Sequence, residues 1–470
     1  MMDQLPSGWT WATLGDLGKY QNGRAFSENE WGTRGRPIIR IQNLTGTSDS
    51  FNHFSGTVDE RHIVRDGDLL VSWAATLGVF IWHGPEAALN QHIFKVSSFV
   101  DASFHRWAIE YALQELRTRS HGSGMVHVTK SVFDSVRIPL PPETQQRCIV
   151  EELERRLSHV EAAEVSLSAS ARKIVAARAA LSQAAVTGRL SPLSMAETTA
   201  RGYLSRLLDT VSSTGTPARW RTTTLSEVPA VPRHWECVTL GAISLDAAYG
   251  TSAKAVSECT ETPVVRIPNV KPGRVNLEDL KYLPNRSISR ENLLLPNDLL
   301  FIRSNGSRDL IGLAALAGPA AGMAFASYLI RFRVVPDPTL LRWVEMVVGG
   351  PAARRLLIER SSSSAGQNNL SIPDIASLPI PIPPRDEMTA ILVEYQQRGS
   401  ILDTVYRSIE TSRLRCRTVR SAVLAAAFAG RLVDSKFTDE PVTPLAKKNS
   451  ALAKEIAQKR DRRARKKDAA

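Results

Sequence analysis

Two long stretches of the chain carry apolar residues at alternating intervals of four and three. In the first, Leu153, Leu157, Val160, Glu164, Leu167, Ala171, Ile174, Arg178, Leu181 and Ala185 give eight apolar positions of ten. The second repeats the register 242 residues later, with Tyr395, Gly399, Leu402, Tyr406, Ile409, Arg413, Cys416, Arg420, Val423 and Ala427, seven of ten. A 3.5-residue repeat sustained this long predicts coiled-coil helices. Prolines at 142 and 384 suit their first turns, and Gly188 and Gly430 suit the left-handed residue just past each end. Such helices would reach roughly 65 Å at 1.5 Å per residue. They are expected over 143–190 and 385–432.

Elsewhere the pattern is that of short strands and turns. Residues 37–44 (PIIRIQNL), 68–72, 79–82 and 92–96 read as strands, as do PVVRIPNV, DLLFI, LAAL and LIRFRV further on. A helix is expected over 104–119 and another over 340–360. The two proline-studded segments VRIPLPP and LPIPIPP read as strands leading into the long helices. The fold class is α+β.

These elements recur because the chain is duplicated. PSGWTWATLG (6–15) returns as PRHWECVTLG (232–241), and RAALSQAAVTGRL (178–190) as RSAVLAAAFAGRL (420–432). The offset is 226 from Pro6/Pro232 to Asn43/Asn269, 230 at Asp68/Asp298, 238 by Phe94/Phe332, and 242 from Gly124/Gly366 to Gly188/Gly430. The globular part absorbs insertions and the helical part none. A copy of this size is a whole domain with its helix, not a solenoid unit. The expected order is a globular domain at 1–142, a spacer helix at 143–190, a linker at 191–230 with one short helix at 202–211, a second globular domain at 231–384, a second spacer helix at 385–432 and a basic tail at 433–470. Equivalent helices in one chain pack most naturally as an antiparallel pair about a pseudo-two-fold, which places the similar globular domains at opposite ends.

Charge changes the picture little. The formal net charge is +12, but residues 446–470 hold ten Lys or Arg against three acids, so that tail supplies +7 and leaves +5 for the rest. The four cysteines, Cys148, Cys237, Cys259 and Cys416, show no C-x-x-C spacing, which argues against a zinc site or disulfide framework and for reduced thiols in a cytoplasmic protein. The opening MMDQLPSGWTW has no apolar signal region. Residues 310–330 lack charge over a membrane-spanning length but contain Gly312, Gly318, Pro319 and Gly322, while the matching stretch of copy one is polar; buried strands around a turn are expected there.

Catalytic constellations are missing: no phosphate loop, no H-E-x-x-H, no dinucleotide glycine turn, and no Asn-Pro-Pro-Tyr type motif of an amino-methyltransferase. His121 and His127 flank a glycine loop, but copy two has serine and asparagine there, so no metal site is expected. The chain reads as a non-enzyme.

Two modules, two matched helices, the W-x-x-x-x-L-G openings, the Pro-x-x-Arg-Ile-x-Asn segments and the G-R-L closures resemble the specificity subunit of type I DNA restriction-modification systems. GQNNLSIPDIASLPIPIPP (366–384) looks very like that family's Gly-Gln-x-Asn-Leu pattern; copy one departs from it with GMVHVTKSVFDSVRIPLPP (124–142). The resemblance implies a non-catalytic subunit in which each module reads half of a split, asymmetric target in double-stranded DNA. It implies docking of two methyltransferase (modification) subunits on the helices, and two ATP-dependent restriction subunits in the full complex. It also implies that S-adenosylmethionine, ATP and Mg2+ sit on those partners and that this chain binds no cofactor. A methyltransferase or nuclease with unrecognised motifs, or a coiled-coil scaffold without a DNA role, are the competing readings.

Bidentate base reading uses Arg or Lys for guanine and Asn or Gln for adenine. Loop residues with suitable chemistry are Ser72, Trp73, Asn90, Gln91, His92, Ser123, His127, Thr129 and Lys130 in module one, and Arg303, Ser304, Asn305, Gln367, Asn368 and Asn369 in module two. VSWAATLG becomes FIRSNGSRDLIG between matched flanks, as readers of different half-sites require; ordinary surface loops would diverge too. Arg40, Asn43, Arg266 and Asn269 recur in both copies, which suits phosphate positioning, and equally a turn, a capped strand end or an internal ion pair. Lys130 suits a phosphate or plain solvation. Arg178 and Arg420 suit helix-helix or partner contacts.

Overall fold

The computed structural model describes residues 5–74, 76–119, 129–191, 200–213, 220, 225, 229–259, 262–283, 293–364 and 367–433. The chain divides into two compact units: Met1–Ser168 with Glu410–Ala470, and Ala169–Ile409. Each unit mixes helix and strand, and each contains the start of one long helix and the end of the other.

The long helices are Glu143–Val186 and Arg385–Phe428, both 44 residues. Each follows a proline-bearing strand, Arg137–Leu140 or Pro379–Ile382, that pairs antiparallel with the strand opening its copy, Thr10–Thr13 or Glu236–Thr239. A two-stranded ribbon tolerates these prolines because it has an open edge where no ladder hydrogen bond is lost. The register is the same in both, Trp11 facing Pro139 and Cys237 facing Pro381.

Both helices stop at a left-handed glycine, Gly188 at φ +74° and Gly430 at φ +68°. The backbone here is pressed against proline: a Cβ on Gly188 would lie 2.6 Å from Pro232 Cγ, and one on Gly430 2.3 Å from Pro6 Cγ. So in each unit a long helix terminates on the proline that opens that unit's globular region.

The alternating four-three positions are largely withdrawn from solvent. All twenty are buried or half-buried except Arg178 and Tyr406. In the first unit Ile149, Leu153 and Leu157 share a core with Leu424, Ala427 and Phe428, and with Phe104, Trp107 and Leu113 of the domain helix Ala102–Arg119. In the second, Ala185 and Val186 join Met388 and Ile391 around Leu340 and Trp343.

Each globular region is built on a four-stranded antiparallel sheet. Its order in the first unit is Gly18–Asn22, Ile93–Ser98, Leu69–Ser72, Gly78–Ile81. In the second it is Ser244–Tyr249, Leu329–Val334, Asp298–Ile302, Ala314–Leu316. A smaller mixed sheet pairs Arg36–Ile39 parallel with Ala87–Leu89, and likewise Thr262–Val265 with Ala324–Phe325.

Several expectations need correction. The strand expected over 37–44 ends at Ile39, and Ile41–Leu44 is a turn of helix; in copy two a strand ends at Val265 and Ile267–Asn269 is a 3-10 turn. In both, the Asn side chain reaches back to the Arg backbone N–H and turns the chain. The helix expected over 340–360 is two, Pro338–Gly349 and Pro351–Arg360, broken where Pro351 cannot donate an N–H. Strand register matches Phe94 with Ile330 rather than Phe332, since Phe94 faces Val71 and Ile330 faces Phe301. Part of the segment expected as linker is packed: helix Ala200–Ser212 sends Tyr203, Leu207 and Val211 into the second unit's core. Residues 310–330 form the strands Ala314–Leu316 and Ala324–Phe325 around a turn at Gly318–Ala320, and no helix among the described residues is long and apolar enough to cross a membrane. The basic tail beyond residue 433 lies outside the described residues.

Candidate nucleic-acid interface

In the first unit two of the sequence candidates, Trp73 and Lys130, meet on one aromatic, Phe94, and two more, His92 and Gln91, adjoin Trp73 in turn. Trp73 stacks on Phe94 at 5.7 Å between ring centres and meets the edge of His92 at 5.4 Å. Gln91 Nε2 lies 3.4 Å from His92 Nε2, and Lys130 Nζ sits 5.8 Å above the Phe94 ring. Strand Ile93–Ser98 supplies Phe94, the turn before it supplies Gln91 and His92, and the loop after Leu69–Ser72 supplies Trp73. Gln91 and His92 are exposed, so polar and aromatic groups meet solvent together.

The neighbouring candidates have structural tasks. Ser72 is fully buried and its hydroxyl donates to the Thr76 carbonyl, closing the loop that carries Trp73. Asn90 is held through its backbone, donating to Ile39 and bridging to Arg24. Thr129 caps the helix Lys130–Asp134, and Lys130 pairs with Asp134 one turn on. Ser123 and His127 lie outside the described residues.

In the second unit the candidates form one small sheet. Ser304–Asn305 pairs antiparallel with Gln367–Asn369, which pairs in turn with Ser362–Ser364. Alternation along the central strand puts Gln367 and Asn369 on one face and Asn368 on the other. Gln367 is exposed, and its amide has no partner among the described residues. Asn368 is buried and donates weakly to the Asn305 carbonyl at 3.5 Å, while Asn305 Oδ1 accepts from Ser307 N at 2.7 Å. Ser304 is also buried.

Arg303 ties this sheet to its surroundings. Its Nε donates to the Leu370 carbonyl at 3.2 Å, Nη1 reaches the Ser327 carbonyl at 3.5 Å, and the guanidinium lies 4.9 Å over the Tyr249 ring. Tyr249 and Tyr328, half-exposed beside it, were missed in the sequence; neither the duplication nor a motif marks them.

The residues that recur in both copies share one geometry. Asn43 Oδ1 accepts from Arg40 N at 3.0 Å, and its Nδ2 donates to the carbonyls of Ser48 and Ser50. Asn269 does the same with Arg266 N, Asn276 O and Glu278 O. Both amides are spent holding a loop. The Arg40 guanidinium lies 5.1 Å over Trp31, and Arg266 donates to the Asp279 carbonyl at 2.7 Å. Among the described residues no group of three or more His, Cys, Asp or Glu is placed to hold a metal ion.

Residues 6–163 match the family model described as "Type I restriction modification DNA specificity domain". The EcoBI specificity subunit of Escherichia coli is 23% identical over 463 residues, 96% of this chain and 91% of its own. The EcoKI specificity subunit of Escherichia coli strain K12 is 24% identical over 363 residues, 76% of this chain and 69% of its own. A chain solved in work on assembly and conformational transition of the type I R-M system covers 91% of this one and 99% of itself, at 18% identity and TM-score 0.46. With that domain matched at its start and relatives running along its length, the chain is similar to type I restriction-modification DNA specificity subunits.

Proposed function

We propose that this specificity subunit reads a bipartite, asymmetric sequence in double-stranded DNA, one half-site per globular region. The observation that carries the reading is the pairing of a shared scaffold with diverged loops. The two four-stranded sheets have the same order, yet one presents Gln91, His92, Trp73 and Lys130 and the other the Gln367–Asn369 sheet. Readers of two different half-sites require such a difference where bases are touched. Gln91, His92, Gln367 and Asn369 are the base-reading candidates; Lys130 and Arg40 suit phosphate. Asn43, Asn269 and Arg303 shape the loops that present them.

The long helices act as the spacer, packed antiparallel and carrying the modification subunits. Two pairs of residues support this. Arg178 pairs with Asp403 in the second unit and Arg420 with Glu161 in the first, and each member lies 242 residues from its counterpart. One antiparallel register accounts for both. Val165, Leu414 and Val419 in the first unit, and Val175, Val393 and Ile401 in the second, leave apolar surface in solvent on these helices. Such surface suits partner docking.

In this reading the chain is a non-catalytic cytoplasmic subunit. Methyl donor, ATP and Mg2+ sit on two modification and two restriction partners. The test is methylation mapping in cells that express the chain with its modification partner: one split motif is expected, and exchanging residues 1–142 for another module changes one half of it. Change in both halves overturns the modular reading. Methyl-donor binding by the isolated chain favours an enzyme instead.

A further inference from the structure

The two copies also differ where the domain helix meets the long helices. In the first unit Leu113 and Leu157 are both buried in that core, and Arg420 closes its edge against Glu110. Copy two places Gly349 at the position of Leu113, counted from the shared Arg-Trp pairs Arg106-Trp107 and Arg342-Trp343, and Gly399 at the position of Leu157. Met346 stands where Glu110 would. A Cβ built on either glycine meets no atom within 4 Å. Both glycines line a cleft of ≈ 1080 Å³ inside the second unit, together with Leu392, Tyr395, Met346 and Glu345.

We infer that this cleft is a docking pocket for a partner polypeptide, which inserts a leucine-sized apolar side chain flanked by a carboxylate. Copy one shows what the space accepts, since it fills the equivalent positions with its own leucines. Charge selects the flank. Arg178 is paired with Asp403, and Arg354 is tied to the carbonyls of Asp309 and Ile311. Arg342 is exposed, and its charge acts on Glu345, the carboxylate one helical turn on. Glu345 is drawn inward, accepting from the Leu316 N–H at 3.4 Å, and burial raises its pKa. A carboxylate on the partner therefore meets Arg342.

The inference rests on the reading that the long helices dock modification subunits, and the experiment separates the two. The full chain and its modification partner are purified, and association is measured for wild type, Gly399→Leu, Gly399→Ala and Arg342→Glu alongside each variant's melting temperature. Gly399→Leu is expected to raise the melting temperature, because it fills the cleft from within, yet to weaken association by about ten-fold or more. Gly399→Ala gains helix propensity but leaves the cleft open, so it should associate like wild type. Arg342→Glu should also weaken association. If Gly399→Leu associates as tightly as wild type, the pocket is not used and the inference falls while the specificity reading stands. If wild type itself does not associate, that reading fails and the pocket with it.

Discussion

Arg420 closes on Glu110 across the edge of the first unit's core, with its guanidinium 5.5 Å from the centre of the Trp107 ring. Glu161 accepts from the same guanidinium at 3.3 Å. The side chains of Arg420 and Glu110 are 17% and 16% exposed, so removing one strands a largely desolvated charge. Arg420→Ala should cost about 3 kcal/mol. Its counterpart Arg178 is 52% exposed beside Asp403, and Arg178→Ala should cost less than about 1 kcal/mol. Urea unfolding of both variants checks the contrast.

His105 sets a pH limit on the same unit. Its ring lies between Ser98 Oγ at 2.8 Å from Nδ1 and Tyr20 Oη at 2.7 Å from Nε2, with the Tyr20 hydroxyl donating onward to the Leu14 carbonyl. That chain needs a neutral imidazole: Ser98 donates to Nδ1 and Nε2 donates to Tyr20. Burial pushes the His105 pKa down to about 4. The unfolded chain binds its proton first as pH falls. The contribution is therefore intact above about pH 6.5, is lost progressively towards pH 4, and levels off below, amounting to about 3 kcal/mol. Urea midpoints taken from pH 7 to 4 should fall more steeply for wild type than for His105→Gln.

The helix-ending glycines should resist any side chain. Gly430→Ala and Gly188→Ala each force a left-handed backbone on an L residue and drive a methyl into Pro6 or Pro232. Each should cost more than about 1 kcal/mol. Pairing Gly430→Ala with Pro6→Ala should recover only the steric part, which a double-mutant cycle by thermal melting reads.

Within the small sheet of the second unit, adjacent residues should behave differently. Gln367→Ala should relax one base of one half-site by about 1–3 kcal/mol of discrimination and leave stability alone. Asn368→Ala, with its side chain buried on the other face, should lower the melting temperature and blur the whole half-site. Methylation mapping and melting curves on the same pair test this.

The long helices were legible because a 3.5-residue repeat, a proline before and a glycine after are local signals that agree with one another. Residues 298–302 and 329–334 were legible as strands for the same reason. The register between copies was not: shifting Phe94 by two, from Ile330 to Phe332, keeps every side chain on its own face, so hydrophobic pattern cannot tell the two matches apart. Nor was the turn at Arg40, where β-branched neighbours favour a strand and one Asn side chain overrules them. The meeting of Trp73 and Lys130 on Phe94, with His92 beside Trp73, depends on strand order, which no single segment encodes.

The first compact unit is assembled from residues before 169 and residues after 409. During synthesis its opening domain therefore leaves the ribosome without Leu424, Ala427 and Phe428, which complete its core, and waits while the intervening stretch is translated, on the order of tens of seconds. For that interval the Leu153 and Leu157 face is uncovered and open to chaperones or wrong partners. A chain cut short just after the second globular region would strip Leu424, Ala427 and Phe428 from the earliest-made domain as well as Met388 and Ile391 from the one beside the break.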